Sequence, residues 1–366
     1  MIQDSIKPNI LKCKDYVPGK PVEEVEREYG LKDILKMASN ENPLGTSPLA
    51  KLAMIDEIMH SGNRYPESLC VELVSALAQK HNVKANQIVV GNGLDNIITM
   101  IGMTFLDADS EVVFGELTFP AYGNIARKMG AKCIEVPMNQ GERLDLSGFA
   151  NAVTDKTKIL FVCNPNNPTG TYNNRCEVEK LIETVPKRVL IVFDEAYFEY
   201  TESSDYPDCS RYVATHDNVV ALRTFSKIMG MGGIRVGYAI ANEAVIRGML
   251  KVREPFPVNR PAQAGALASL SDTVFVEKTL QVNVAGKKEF YERLEAMGVS
   301  YLPTETNFVY MDFHQSAADV FEKLLRKGVI IRPLGVQNRP TCARITIGTP
   351  EQNARTLDEL EAALRK

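Results

Sequence analysis

Five short apolar runs, each closed by a polar or glycine-rich cluster, restrict this chain to very few architectures. They are Ile88-Val89-Val90, Val112-Val113-Phe114, Ile159-Leu160-Phe161-Val162, Val189-Leu190-Ile191-Val192-Phe193 and Val219-Val220-Ala221-Leu222. Runs this short and this uniformly apolar suit strands buried on both faces. A helical stripe such as Leu94, Ile97, Ile98 and Ile101 lies between two of them. The alternation predicts an α/β large domain with a mostly parallel sheet flanked by helices. Open sheets of this kind place ligands beyond the carboxyl ends of their strands, so the closing clusters are where function is to be sought.

Bulk properties exclude several classes. A formal net charge of −4 over 366 residues gives no reason to expect nucleic acid or an anionic membrane as partner. The start Met1-Ile2-Gln3-Asp4-Ser5 lacks a basic region followed by an apolar core, and no apolar run approaches the ~20 residues that cross a bilayer. Seven scattered cysteines without a CxxC pair argue against a disulfide framework and a zinc cluster, and the four histidines form no HExxH. The expectation is a cytoplasmic protein with free thiols and no protein-bound metal.

The clusters themselves are chemically specific. After Ile88–Val90 comes Gly91-Asn92-Gly93-Leu94-Asp95, then a helix. Strand, glycine turn and helix start make an anion site, because the first helical N–H groups have no internal partners. A purely structural turn explains the two glycines equally well, since GxGxxG would need glycine at Asn96. Thr118-Phe119-Pro120-Ala121-Tyr122 follows the second run and Cys163-Asn164-Pro165-Asn166-Asn167-Pro168-Thr169-Gly170 the third. Asp194-Glu195-Ala196-Tyr197 follows the fourth; a carboxylate ending a fully apolar strand is costly to leave unpaired, so a cationic partner is expected. Arg223-Thr224-Phe225-Ser226-Lys227 ends the fifth, and Arg235–Ile240 reads as a further strand. Lys227 is a candidate for covalent work as the amine of a Schiff base, although an isolated lysine is usually a solvated surface charge.

Outside this frame, residues 1–40 read as an irregular arm with a short helix from Val22 to Tyr29, and residues 41–256 as the large domain. The loop Ser39-Asn40-Glu41-Asn42-Pro43-Leu44-Gly45 suits either a linker or a cover over a polar site. Pro66 is expected to open a helix carrying Leu69, Leu73, Ala76 and Leu77. Three prolines between Lys251 and Pro261 mark a hinge, with residues 257–366 forming a smaller α+β domain.

Taken together, these clusters resemble those of the fold-type I, aspartate-aminotransferase-like enzymes, and within them the histidinol-phosphate aminotransferases. The likeness runs almost end to end: Tyr16-Val17-Pro18-Gly19, Ala38–Gly45, Arg64-Tyr65-Pro66, Asn164–Gly170, Asp194–Tyr197, Thr224–Lys227 and Arg344-Ile345-Thr346-Ile347-Gly348-Thr349. The resemblance implies pyridoxal 5′-phosphate held on Lys227, which also shuttles the proton, with Asp194 on the ring nitrogen. Tyr197 and Asn167 would meet the ring's phenolic oxygen, and Phe119 would stack on its face. Gly93, Leu94 and Asp95, with Thr224, Ser226 and Arg235, would hold the phosphate. Tyr65 would reach the other subunit's cofactor, implying a homodimer with shared sites. Arg344 resembles the clamp for the carboxylate of glutamate and 2-oxoglutarate. Arg332, with Tyr16, resembles the positions that receive the substrate's phosphate, though a plain surface or interface arginine also fits position 332; Asn42 is expected among the substrate-binding residues.

The implied reaction is transamination of L-histidinol phosphate with 2-oxoglutarate, giving imidazole acetol phosphate and L-glutamate in histidine biosynthesis. Rival readings on the same scaffold are an aromatic amino acid aminotransferase and a threonine-phosphate decarboxylase. A pyridoxal-binding regulator would usually bring a basic DNA-binding helix-turn-helix extension, which is not expected here. Departures from the family pattern fall on the substrate side: Leu94 in place of a small residue, Pro257 in place of asparagine, and Val336-Gln337-Asn338 in place of a stretch with an aromatic.

Overall fold

The computed structural model describes residues 2–13 and 20–365. Its centre is a seven-stranded sheet: β1 (Ile88–Gly91), β2 (Glu111–Gly115), β3 (Lys132–Val136), β4 (Thr157–Cys163), β5 (Leu190–Asp194), β6 (Val219–Thr224) and β7 (Gly237–Ala241). The spatial order is β1-β7-β6-β5-β4-β2-β3, and only β7 runs antiparallel to its neighbours. The strand expected from Arg235 starts at Gly237, because Arg235 has a left-handed backbone (φ +64°) that no strand accepts.

Both faces of the sheet are buried, as uniformly apolar runs require. Ile191, Phe193, Val219 and Ala221 enter one core, while Leu190, Val192, Val220 and Leu222 enter the other. Helices α1 (Pro48–Ser61), α2 (Val71–His81), α3 (Gly93–Phe105) and α4 (Ala121–Met129) cover these faces. The α2 helix starts later than the proline suggests. Cys70 takes a left-handed conformation and the Glu67 carboxylate accepts from the Val71 N–H at 2.9 Å, which leaves Leu69 exposed outside the helix.

A four-stranded antiparallel sheet, ordered Arg332–Leu334, Arg339–Thr346, Phe308–Asp312 and Ser300–Leu302, forms the second layer with its own core around Phe290, Leu294, Val309, Ile345 and Leu357. Met37 lies in that core, and Leu35–Lys36 pairs in parallel with Val329–Ile330, so the arm is tied to the smaller unit. The division expected at residue 257 falls later in space. Val258, Ala262 and Ala266 pack into the large core, whereas Phe290 and Leu294 belong to the small one, so the long helix Thr273–Met297 carries the chain across. Among the described residues, no helix is long and apolar enough to cross a membrane.

Candidate active site

The sheet register brings the strand-end clusters together. Cys163 pairs with Asp194 and Asp194 with Leu222, so β4, β5 and β6 end side by side. Lys227 lies five residues beyond Leu222, its Nζ 6.0 Å from the centre of the Tyr197 ring and donating to the Ser39 carbonyl at 3.1 Å. Burial, reinforced by the nearby Arg344 and Arg235 cations, lowers its pKa to about 8. The amine is therefore a minority form near neutral pH, but far more abundant than for an ordinary lysine.

Asp194 is buried, and burial raises its pKa to about 6 against two donors that favour the carboxylate. These are the Tyr122 hydroxyl on Oδ2 at 2.7 Å and the Ala196 N–H on Oδ1 at 3.1 Å. The cationic partner expected at this strand end goes instead to the next residue. Arg223 pairs with Glu195 at 2.9 Å, both buried, because odd-numbered side chains of β6 share a face with Glu195 and not with Asp194. Among the described residues Asp194 has no ion pair.

Tyr197 is buried, its ring set edge-on to Phe308 at 5.2 Å and its hydroxyl accepting from the Asn40 amide at 2.7 Å. Asn40 has a left-handed backbone and is itself gripped by Thr346 and Asn307. Thus the loop 39–45 does lie over the strand ends. Asn42, expected on the substrate side, has its amide turned to Lys227 O, Ile228 O and Thr279 Oγ1; in this structure it ties the loop to the lysine segment.

Beside these residues is the anion site. Gly93 opens α3 with φ +74°, and a β-carbon there would collide with the Arg235 guanidinium. The left-handed backbone is what favours glycine here, since the guanidinium, at the end of a flexible side chain, could move aside. No side chain caps α3, so its first N–H groups, those of Gly93, Leu94 and Asp95, remain available, and Asp95 holds Arg235 at 3.3 Å. The Ser226 N–H donates to Thr224 Oγ1 at 3.0 Å, which closes the turn before the lysine. Phe119 is half-buried and meets Tyr122 edge-on at 5.8 Å.

Two arginines sit side by side on the small sheet. Arg332 and Arg344 are cross-strand partners, which puts both side chains on one face. Arg344 donates to Asn167 Oδ1 at 2.5 Å and to the Ala38 carbonyl at 2.6 Å, with its guanidinium carbon 5.2 Å from the Phe308 ring centre. Tyr65 is exposed and stacked on Phe256 at 5.0 Å, outside this group. Tyr16 lies outside the described residues. Sequence reasoning passed over Tyr122, Asn40 and Ser39. Asn40 sat in a recognised polar loop, and Tyr122 is three residues after Phe119 at the start of a helix, so one turn brings the two rings together.

These residues fit pyridoxal 5′-phosphate on observations internal to the chain. A buried carboxylate held only by neutral donors suits a protonated ring nitrogen, uncapped N–H groups beside an arginine suit a phosphate, and a buried amine of lowered pKa suits an aldehyde. A separate groove of about 840 Å³, lined by Met229, Leu280 and Val284 among others, includes none of them.

Comparison with known proteins agrees with this chemistry. The chain is 44% identical to the histidinol-phosphate aminotransferase of Moorella thermoacetica, covering 94% of this chain and 89% of that one. It is 41% identical to that of Bacillus subtilis strain 168, over 96% of this chain and 98% of that one. The crystal structure of histidinol-phosphate aminotransferase from Sinorhizobium meliloti in complex with pyridoxal-5′-phosphate superposes with a TM-score of 0.91 at 25% identity, covering 98% and 97% of the two chains. The family model for aminotransferase class I and II matches residues 32–360, and the chain belongs to that family.

Proposed function

We propose that the protein transfers the amino group of L-histidinol phosphate to 2-oxoglutarate, with pyridoxal 5′-phosphate as cofactor. When bound, that cofactor supplies a conjugated ring that takes up the electron pair left at the substrate carbon. The Nζ of Lys227, with its lowered pKa, would take the proton from that carbon and deliver it to the cofactor carbon on the other side of the amino nitrogen. Asp194 keeps a proton on the ring nitrogen. The Asn40 amide donates to the Tyr197 oxygen, which leaves the hydroxyl proton free to point at the ring's phenolic oxygen. Asn167 presents its amide from the rigid loop after β4.

The observation that carries the substrate assignment is the pairing of Arg332 with Arg344 on one face of the small sheet. Two guanidiniums side by side can serve a phosphate-bearing amine and a dicarboxylate in turn. The relatives named above support the same reading. Incubating purified protein with L-histidinol phosphate and 2-oxoglutarate should yield stoichiometric glutamate, with phenylalanine a much poorer donor. Faster transfer from phenylalanine, or CO₂ release from threonine phosphate without glutamate, would overturn it.

We also infer a cytoplasmic homodimer. All seven cysteines are free, which suits a reducing compartment. On α1, Leu52, Ile55 and Met59 form an exposed apolar stripe, and Tyr65 and Phe256 stack in the open nearby in sequence or fold. Such a patch suits a second copy of the chain. A monomer in sedimentation equilibrium at micromolar protein would refute this.

A further inference from the structure

Among the described residues Asp194 has no ion pair, and the hydroxyl that touches it is delivered by a fully buried, stacked ring. Tyr122 is fully buried, stacked on Phe161 at 4.6 Å and 10°, and set edge-on to Phe119. Packing alone gives no reason for tyrosine here. Phenylalanine would stack equally well, and a phenol buried among apolar side chains costs free energy unless its hydroxyl is bonded. The 2.7 Å bond to Asp194 Oδ2 is what the hydroxyl provides. We propose that Tyr122 is a positioning residue for the cofactor reaction: its hydroxyl keeps Asp194 a carboxylate and turns the remaining lone pairs of that carboxylate toward the ring nitrogen. This rests on the reading above, in which Asp194 meets that nitrogen.

Tyr122 heads the groups that favour the Asp194 carboxylate, and the Ala196 N–H adds to it. Asp95 on α3 opposes the carboxylate form, and Lys227 favours it from the turn after β6. The Cys163 thiol on β4 is pushed up to about 12 by burial and stays neutral, and Tyr197 in the same turn is raised by burial and stays neutral as well. Burial and the adjacent carboxylate also hold Tyr122 protonated, so it remains a donor throughout the working range.

The test is Tyr122→Phe in two preparations. In the cofactor-free protein, the Asp194 carboxyl is followed by infrared difference titration, using Asp194→Asn to identify its band. The midpoint should rise by about one pH unit, the size expected when a hydrogen bond to a charged group is lost. In the loaded protein, the ¹⁵N resonance of the labelled ring nitrogen should move toward the unprotonated range at neutral pH. The kcat should fall on the order of tenfold with KM unchanged. Replacing Tyr122 by 3-fluorotyrosine, a stronger donor, should move the Asp194 midpoint downward and keeps the test alive if the phenylalanine variant folds poorly. Equal midpoints in all three proteins would overturn the proposal and reduce Tyr122 to packing. Failure of histidinol phosphate as substrate would leave the titration result standing, so the two outcomes are separable.

Discussion

Asp194 and Glu195 are adjacent in the chain, equally buried, and provided for in opposite ways. Glu195 meets Arg223 through a 2.9 Å ion pair, accepts from the Cys209 N–H at 3.0 Å, and shares its arginine with Asp208 at 2.8 Å. Phe198 lies under the same guanidinium at 3.3 Å. On the opposite face Asp194 has a phenol, a backbone N–H and, among the described residues, no ion pair. One face holds a buried ion pair; on the other, Asp194 is met only by neutral hydrogen-bond donors among the described residues. A charge paired within the chain serves the fold, and under the proposed function the carboxylate without a paired charge is kept for a ligand.

The largest effect that separates the two faces is expected at Lys227. Lys227→Ala should cut glutamate formation by about 10⁴-fold, because the group proposed to carry the proton is gone. The unfolding midpoint of the cofactor-free protein should hold or rise, since a buried amine leaves with it. A midpoint that collapses along with the rate would show that both faces are structural.

Arg223 should behave in the reverse manner. Arg223→Ala strands Glu195 in a dry site and should cost about 3–5 kcal/mol in urea unfolding. The double variant Arg223→Met with Glu195→Gln removes both charges and should recover most of that stability with most of the turnover. Should the double variant fold well yet lose turnover, the ion pair would have to act on the chemistry, and the contrast between the faces would fail.

This contrast also marks where the sequence was readable. The apolar runs fixed their own burial, so the strands and their closing clusters could be located before any coordinates. Alternation along β5 and β6 was equally available, yet it yields the partner of Glu195 only once the register aligning Asp194 with Leu222 is known. Register is a long-range property that no local pattern encodes. For the same reason Tyr122 and Asn40 went unnoticed: each acts across the fold, 72 and 157 residues from its partner. Arg332 and Arg344 could be named from resemblance, but their sharing of one face required the small sheet. Tyr65 was placed by resemblance alone, and its exposure within one chain follows if its partner lies on another.

Titration sharpens the comparison further. The Asp194 pKa rises from 3.8 to about 6 on folding, so between those values the folded protein binds more protons than the unfolded chain. Stability contributed by that group is therefore full below about pH 4 and is lost as pH climbs to about 6, on the order of 3 kcal/mol. Lys227, lowered from 10.5 to about 8, gives the opposite slope, with stability returning as pH rises from 8 toward 10.5. Cofactor-free protein should thus show a trough between pH 6 and 8. Asp194→Asn should remove most of the falling limb, and pyridoxal phosphate should fill the trough in the wild type. A flat wild-type minus Asp194→Asn difference curve would mean Asp194 is not held as described.

The smallest effect tests whether the ion-paired face is graded by its access to water. Asp208 bonds the same arginine as Glu195 but retains about a quarter of its side-chain exposure, against none for Glu195. It also accepts from the Ser210 N–H and hydroxyl, so its position does not depend on charge alone. In Asp208→Asn an amide oxygen remains to accept from Arg223, and water near the rim screens what charge is lost. The cost should be about 0.5–1 kcal/mol by urea unfolding, shrinking as salt is raised. Glu195 still neutralises the guanidinium in that variant, and neither Asp194 nor Lys227 touches Asp208, so the midpoints of the titration trough should stay where they are. A loss approaching that of Arg223→Ala would mean that Asp208 and Glu195 hold the arginine as one indivisible unit, and that exposure does not rank the charges on this face.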